Sequence, residues 1–367
     1  MNKKINVVSY IINMVLTMAS LLCVVSLSLN NYPDTTINSL IRFVVGAIFA
    51  GLVNAFAHEL AHLISGKKNK FTFSSMVVWF FKWTKVKKKT RFDLVMVGDE
   101  AGYTEMIPTT EENIEAKFKK MTRAGAIASI IITILGVPPL FMTAILPDWI
   151  FTLWAMLFPI GVYYFFGTIL PSSSYGVLND GAVLYHFKKN TDTAKVMVNL
   201  LKIQANLYNG KTPAQIDEKL YFDLPQLPED DLNFALLLNA RYNYYLDKED
   251  YENAKKTTQR LLTLEDYLPK QFMDVIKVDA LYNACTFDFN EETADDLMYE
   301  LEKYINNVNN SANVRTKLAY LIAIDGEKQG LDIFIKKGYK EADRCQIKGL
   351  GQYERTLLDK LVANISK

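Results

Sequence analysis

The segment Asn54-Ala55-Phe56-Ala57-His58-Glu59-Leu60-Ala61-His62-Leu63-Ile64-Ser65 contains a His-Glu-x-x-His pattern whose residue types and spacing prescribe a reaction. On a helix, positions i and i+4 lie one turn apart on the same face, so both imidazoles can reach one metal ion. Glu59 follows the first histidine and is placed to take a proton from an attacking water. Two ligands plus a general base is the logic of a zinc peptidase. The chain has only three histidines, and two of them are here. The pattern ends a long apolar run, where three ionisable groups are costly enough to imply a function.

Zinc catalysis needs a third protein ligand, with one position left for water. Two candidates follow the last apolar run. Asp180 stands in Asn179-Asp180-Gly181, after a helix broken by Pro171 and three serines. It is the only carboxylate between Asp148 and Asp192, although an Asp-Gly pair is also an ordinary turn signal. His186 competes, but Phe187-Lys188-Lys189 after it reads as the outer end of a helix, so it ranks second.

The elements that must hold these groups divide by charge. Residues 1–190 carry 18 Lys and Arg against 11 Asp and Glu, and residues 191–367 carry 23 against 29. The long apolar runs fall in the first part. This predicts a transmembrane domain over 1–190 and a soluble domain over 191–367. Spans are expected at about 5–29, 37–65, 124–146 and 149–170. A cleaved signal peptide is the alternative for the first, but a run of about 25 residues exceeds the usual apolar region.

Lys and Arg cluster at the N-terminus and at 67–91, 117–123 and 188–189, whereas the loops at 30–37 and 147–148 have none. The positive-inside rule then puts both termini in the cytoplasm, in an integral membrane protein of the bacterial plasma-membrane type. His58 and His62 fall within about two turns of that face. The basic excess is thus topological and does not predict nucleic-acid binding. Three scattered cysteines make no disulfide framework. Gly125 and Gly136, with Ala124, Ala126, Ala128 and Ser129, give the third span a small-residue face for close packing.

Residues 71–110 are neither span nor simple loop. The runs Phe71–Phe73, Met76–Trp83, Phe92–Val97 and Tyr103–Ile107 are β-branched and aromatic, with a break at Gly98-Asp99-Glu100-Ala101-Gly102. Two to four short strands at the membrane surface are expected, with an amphipathic interfacial segment as the alternative. An open strand edge there could pair with an unwound substrate. Thr109, with Glu112 three residues on, is the expected cap of a charged helix running to Lys120.

Taken together, the apolar-helix His-Glu-x-x-His, the small-residue third span and the Asn-Asp-Gly after a Pro-broken span resemble the site-2 protease family of intramembrane zinc metalloproteases. The resemblance covers about residues 40–190. It implies His58, His62 and Asp180 as ligands of one Zn2+ per chain, and Glu59 as the catalytic base. It also implies a membrane-associated sheet, and a substrate that is a transmembrane segment or remnant signal peptide. Family members often have an Asn three residues before the proline of this region, able to contact substrate or oxyanion. Here that position is Thr168, with Asn179 the nearest alternative.

The second half shows apolar-periodic segments at Leu232–Leu246, Tyr251–Leu264, Gln271–Cys285, Thr293–Val308 and Val314–Ile324. Further helices are expected at Gly330–Lys337, Tyr339–Cys345 and Tyr353–Ile365. Phe234 through Pro269, with Tyr251 and Ala254 best placed, resembles one tetratricopeptide repeat, and the whole reads as a helical-hairpin array. A cytoplasmic protein partner or a regulatory role is its functional reading. The fold expected overall is an α-helical membrane domain with a small β segment, followed by an all-α domain. Two other functions are open: a membrane-anchored zinc protease with a soluble-type site and a Glu third ligand, and a scaffold with a vestigial metal site.

Overall fold

The computed structural model describes residues 3–87, 89–95, 102–174, 176–327 and 329–365. Among them, four helical stretches are long and apolar enough to cross a membrane: Lys4–Asn31, Thr36–Lys68, Ile114–Phe141 and Asp148–Ile169. Contacts divide the chain into two compact units. One holds Met1–Lys85, Lys89–Ile107 and Asn113–Thr191, and the other holds Val86–Lys88, Pro108–Glu112 and Asp192–Lys367.

The first unit begins with α1 (Lys3–Asn31) and α2 (Thr36–Lys68). Thr35 caps α2 by accepting from the Asn38 amide, and Lys67 and Lys68 sit in its last turn, where cations suit the helix dipole. Large apolar side chains such as Val15, Ile37 and Leu40 point outward and are exposed. Such residues recur along both helices, giving an extended exposed apolar surface of the kind that marks a membrane or protein contact.

The opposite end of α2 from the histidines is pinned by charge. Arg42 is only 1% exposed, and its guanidinium donates to Asp148 Oδ2 at 2.8 Å and Ser39 Oγ at 3.3 Å, with Asp34 Oδ2 at 3.8 Å.

Four strands follow: β1 (Phe71–Val78), β2 (Phe81–Val86), β3 (Lys89–Leu94) and β4 (Gly102–Pro108). The sheet order is β3-β2-β1-β4, which leaves β3 and β4 as edges. The expected run Met76–Trp83 is therefore two strands. β1 and β2 pair antiparallel with Val78 opposite Phe81, and the chain reverses at Trp79, whose φ is +52°. The expected break at Gly98–Ala101 and the end of the run before it lie outside the described residues.

α3 (Ile114–Leu135), α4 (Asp148–Ala155) and α5 (Leu157–Ile169) complete the bundle. Three expectations are corrected here. The charged helix and the third span are one continuous α3, which starts at Ile114 and not at a Thr109 cap. Residues 108–112 are held instead by the second unit, where Asn206 donates to Glu111 and Asn209 to the Thr109 carbonyl. Within the third stretch α3 ends at Leu135, eleven residues before the expected limit at 146, and a short 3₁₀ turn at Pro138–Phe141 follows. The fourth is broken at Met156, because Pro159 in the first turn of α5 has no N–H to continue α4 and its ring excludes the carbonyl four residues back.

A two-residue ladder, β5 (Ser173–Ser174) with β6 (Val177–Leu178), leads into α6 (Asp180–Lys189).

The second unit is helical throughout its described elements: α7 (Asp192–Tyr208), α8 (Lys219–Phe222), α9 (Leu232–Asp247), α10 (Tyr251–Leu262), α11 (Lys270–Ala284), α12 (Glu291–Asn307), α13 (Ser311–Ala323), α14 (Asp332–Ala342) and α15 (Lys348–Ile365). α9 packs with α10, α11 with α12 and α13 with α14, as a helical-hairpin array requires. The two helices expected between 330 and 345 are one, α14. Asx residues explain several starts: Asp231, Asp250, Asn290 and Asn310 each accept a backbone N–H within the first turn. Ala254, the repeat-like alanine, is fully buried in a core with Tyr242, Leu281 and Leu357.

A single buried cation organises that core. Arg315 Nε donates to Glu354 Oε2 at 2.9 Å, its guanidinium lies 3.9 Å over the Tyr282 ring, and Asp279 stands 3.9 Å away. Burial pushes the Asp279 carboxyl up to about 7, since the nearest cation is engaged by Glu354. Glu354→Ala would leave Arg315 buried without its main partner and is expected to cost about 3–5 kcal/mol. Denaturant unfolding of the detergent-solubilised chain measures this, and a cost below about 1 kcal/mol would remove Arg315 as the core's anchor.

Candidate metal centre

His58 and His62 lie on the buried face of α2 and turn toward α3. Their Nδ1 atoms are engaged by that helix: His62 Nδ1 donates to the Met121 carbonyl at 2.9 Å, and His58 Nδ1 lies 3.0 Å from Ser129 Oγ. With Nδ1 protonated, each ring keeps a lone pair on Nε2. Those two Nε2 atoms stand only 3.1 Å apart.

Asp180 completes the group. It is the first residue of α6 and not part of a loop, because Asn179 caps the helix by accepting from the Ala182 amide at 2.9 Å. A carboxylate at a helix N-terminus is favoured by the dipole. Asp180 Oδ2 reaches 3.3 Å from His58 Nε2 and 3.1 Å from His62 Nε2. That oxygen is buried, and the two imidazoles are the groups that face it.

Three atoms with lone pairs therefore converge. A proton shared with the carboxylate holds such a set together, and so does a bound cation. Ligands about 2.0–2.1 Å from a tetrahedral Zn2+ stand roughly 3.3 Å from one another, close to the three spacings found here. Two imidazoles and a carboxylate suit several divalent cations, zinc and iron(II) among them. The structure also leaves room: a Cβ at Gly125 of α3 would fall 2.5 Å from His58 Nε2 and Cε1, and closer still to His62 Nε2. Among the described residues this is the group of His, Cys, Asp or Glu side chains arranged to hold a metal.

Glu59 points to the sheet side of α2 and is not a member of that group. Its Oε2 accepts a 2.7 Å hydrogen bond from Thr104 Oγ1 on β4. Sequence reasoning missed Thr104, because nothing in its spacing connects a strand threonine to a helix glutamate. It also missed the Ser129 hydroxyl as a histidine partner, having read Ser129 only as small.

The other candidates are placed elsewhere. His186 Nδ1 is 2.8 Å from Thr191 Oγ1 near the end of α6, and the ring is not in the metal group. Thr168 Oγ1 donates back to its own helix, to Tyr164 O at 2.8 Å and Phe165 O at 3.2 Å. Asn179 Nδ2 donates to Gly167 O and Leu170 O while Oδ1 accepts from Ser172 and Ala182. Thr168 is thus engaged within α5, and Asn179 ties the end of α5 to the start of α6.

Compared with protein-family models, with curated proteins and with solved structures, the chain gives no match.

Proposed function

We propose that this chain is an intramembrane zinc endopeptidase of the site-2 protease kind, acting on transmembrane segments or remnant signal peptides. The observation that carries this reading is the convergence of His58, His62 and Asp180 within an apolar helical bundle, with Glu59 beside them but outside the ligand set. A peptidase needs that separation, since a carboxylate that binds the metal is not free to move protons.

When bound by the three side chains, zinc supplies Lewis acidity, which makes water nucleophilic near neutral pH and polarises a carbonyl. The remaining work belongs to the protein. Glu59 accepts the proton of the attacking water and returns it to the leaving amine. The Met121 carbonyl, which can only accept, sets the tautomer of His62, and the Ser129 hydroxyl orients the His58 ring. The edge strand β4 runs beside Glu59 with one side unpaired among the described residues, which suits a substrate unwound from helix and pairing as a strand. The basic ends of the spans support cytoplasmic termini, with the site opening toward that face. The helical second unit is read as the part that binds a cytoplasmic protein partner.

Asp180 separates this proposal from a soluble-type zinc site with a glutamate ligand. Asp180→Ala is expected to lower bound zinc from about one per chain by at least 10- to 100-fold in affinity. Zinc content of the purified variant measures it, and full occupancy would favour the glutamate alternative.

A further inference from the structure

We infer that Thr104 is a positioning residue for Glu59, holding the carboxylate in the orientation that proton transfer needs. This inference rests on the peptidase reading above. Thr104 Oγ1 lies 2.7 Å from Glu59 Oε2 and 3.1 Å from the Glu59 carbonyl. A hydroxyl has one proton, and the shorter, charge-assisted contact to the carboxylate is where it goes. Among the described residues it is the one hydrogen bond the Glu59 carboxylate receives.

The same strand approaches Glu59 a second time. Residues i and i+2 of a strand share a face, and Gly102 is two residues before Thr104. A Cβ at Gly102 would lie 3.2 Å from Glu59 Cγ and Oε1, and 2.8 Å from the Val77 carbonyl. β4 therefore provides a donor to one carboxylate oxygen and clearance beside the other. The division has a use. Oε2 is fixed, so the side chain cannot swing about its three rotatable bonds, while Oε1 remains available to a water. A general base must sit within hydrogen-bond reach of the proton it takes, and a displacement of about 1 Å costs about 10²-fold.

A threonine that merely satisfied a buried carboxylate would affect folding and zinc retention, not turnover alone. The test uses the full chain reconstituted in lipid, with a transmembrane reporter peptide. Thr104→Val keeps the shape and removes the donor. It should lower kcat by about 10- to 100-fold with KM within about twofold and zinc per chain unchanged. Thr104→Ser restores the hydroxyl and should recover most of the loss. Independently of turnover, the Glu59 carboxylate stretch, taken from the infrared difference between Glu59 and Glu59→Gln proteins, should shift when Thr104→Val removes the hydrogen bond.

Wild-type kcat in Thr104→Val, loss of zinc in that variant, or failure of Thr104→Ser to recover activity each overturns the inference. An unshifted carboxylate band does so as well. A wild-type protein that shows no Glu59-dependent cleavage overturns the peptidase reading instead. Only the infrared band would then bear on the contact.

Discussion

Glu59→Gln is expected to retain about one zinc per chain and to lose cleavage of membrane substrates by about 10²- to 10⁴-fold, the range that a positioned general base contributes. Glutamine has the same shape and can still accept from Thr104, so the carboxylate-to-amide change isolates proton transfer. Zinc is retained because the atoms that converge belong to His58, His62 and Asp180. The measurement compares membrane peptides that accumulate in cells making the wild-type protein with those making the variant. Fragments missing from the variant are the products. Their persistence with Glu59→Gln would sink the mechanism. Full zinc without any Glu59-dependent product would point to the vestigial-site scaffold.

Gly125→Ala should have an effect as large by a different route. The added methyl occupies the space between the two Nε2 atoms, 2.5 Å or less from each ring. Neither imidazole can retreat easily, since hydrogen bonds to Met121 and Ser129 tie each ring to α3, the helix that carries Gly125, and α3 is packed along α2. Zinc affinity should fall by at least the 10- to 100-fold seen when a ligand's supporting partner is lost, and activity should fall with it. Metal analysis beside Glu59→Gln separates the two variants: one keeps the ion and loses chemistry, the other loses both. A Gly125→Ala protein with full zinc would mean that the ion does not sit between these nitrogens.

How much of this was legible in sequence follows from the range of each interaction. The four long apolar helices were readable because a helix satisfies its own backbone and a continuous apolar run needs only length and composition to be recognised. Their ends were not, because Lys117 to Arg123 are charged yet continue α3 without interruption. Pro159 was in plain view, but the apolar run around it masked the break at Met156. His58, Glu59 and His62 were legible because their geometry is set by one turn of helix. Asp180 was found from its chemistry, although its place as the first residue of α6 depends on Asn179 turning inward as a cap. Thr104 was not legible at all: its partner is 45 residues away on another kind of element, and no local pattern records such a contact.

Arg42 has a consequence for how the molecule is made. On the four-span reading, it enters the bilayer with α2, but Asp148 lies 106 residues further along the chain. Until α4 arrives, the guanidinium has only Asp34 and Ser39 nearby and must reach for headgroup water. His58 lies sixteen residues along the same helix, about 24 Å from Arg42, so an ion pair closed only by the last apolar stretch anchors one end of the helix that carries the histidines near its other end.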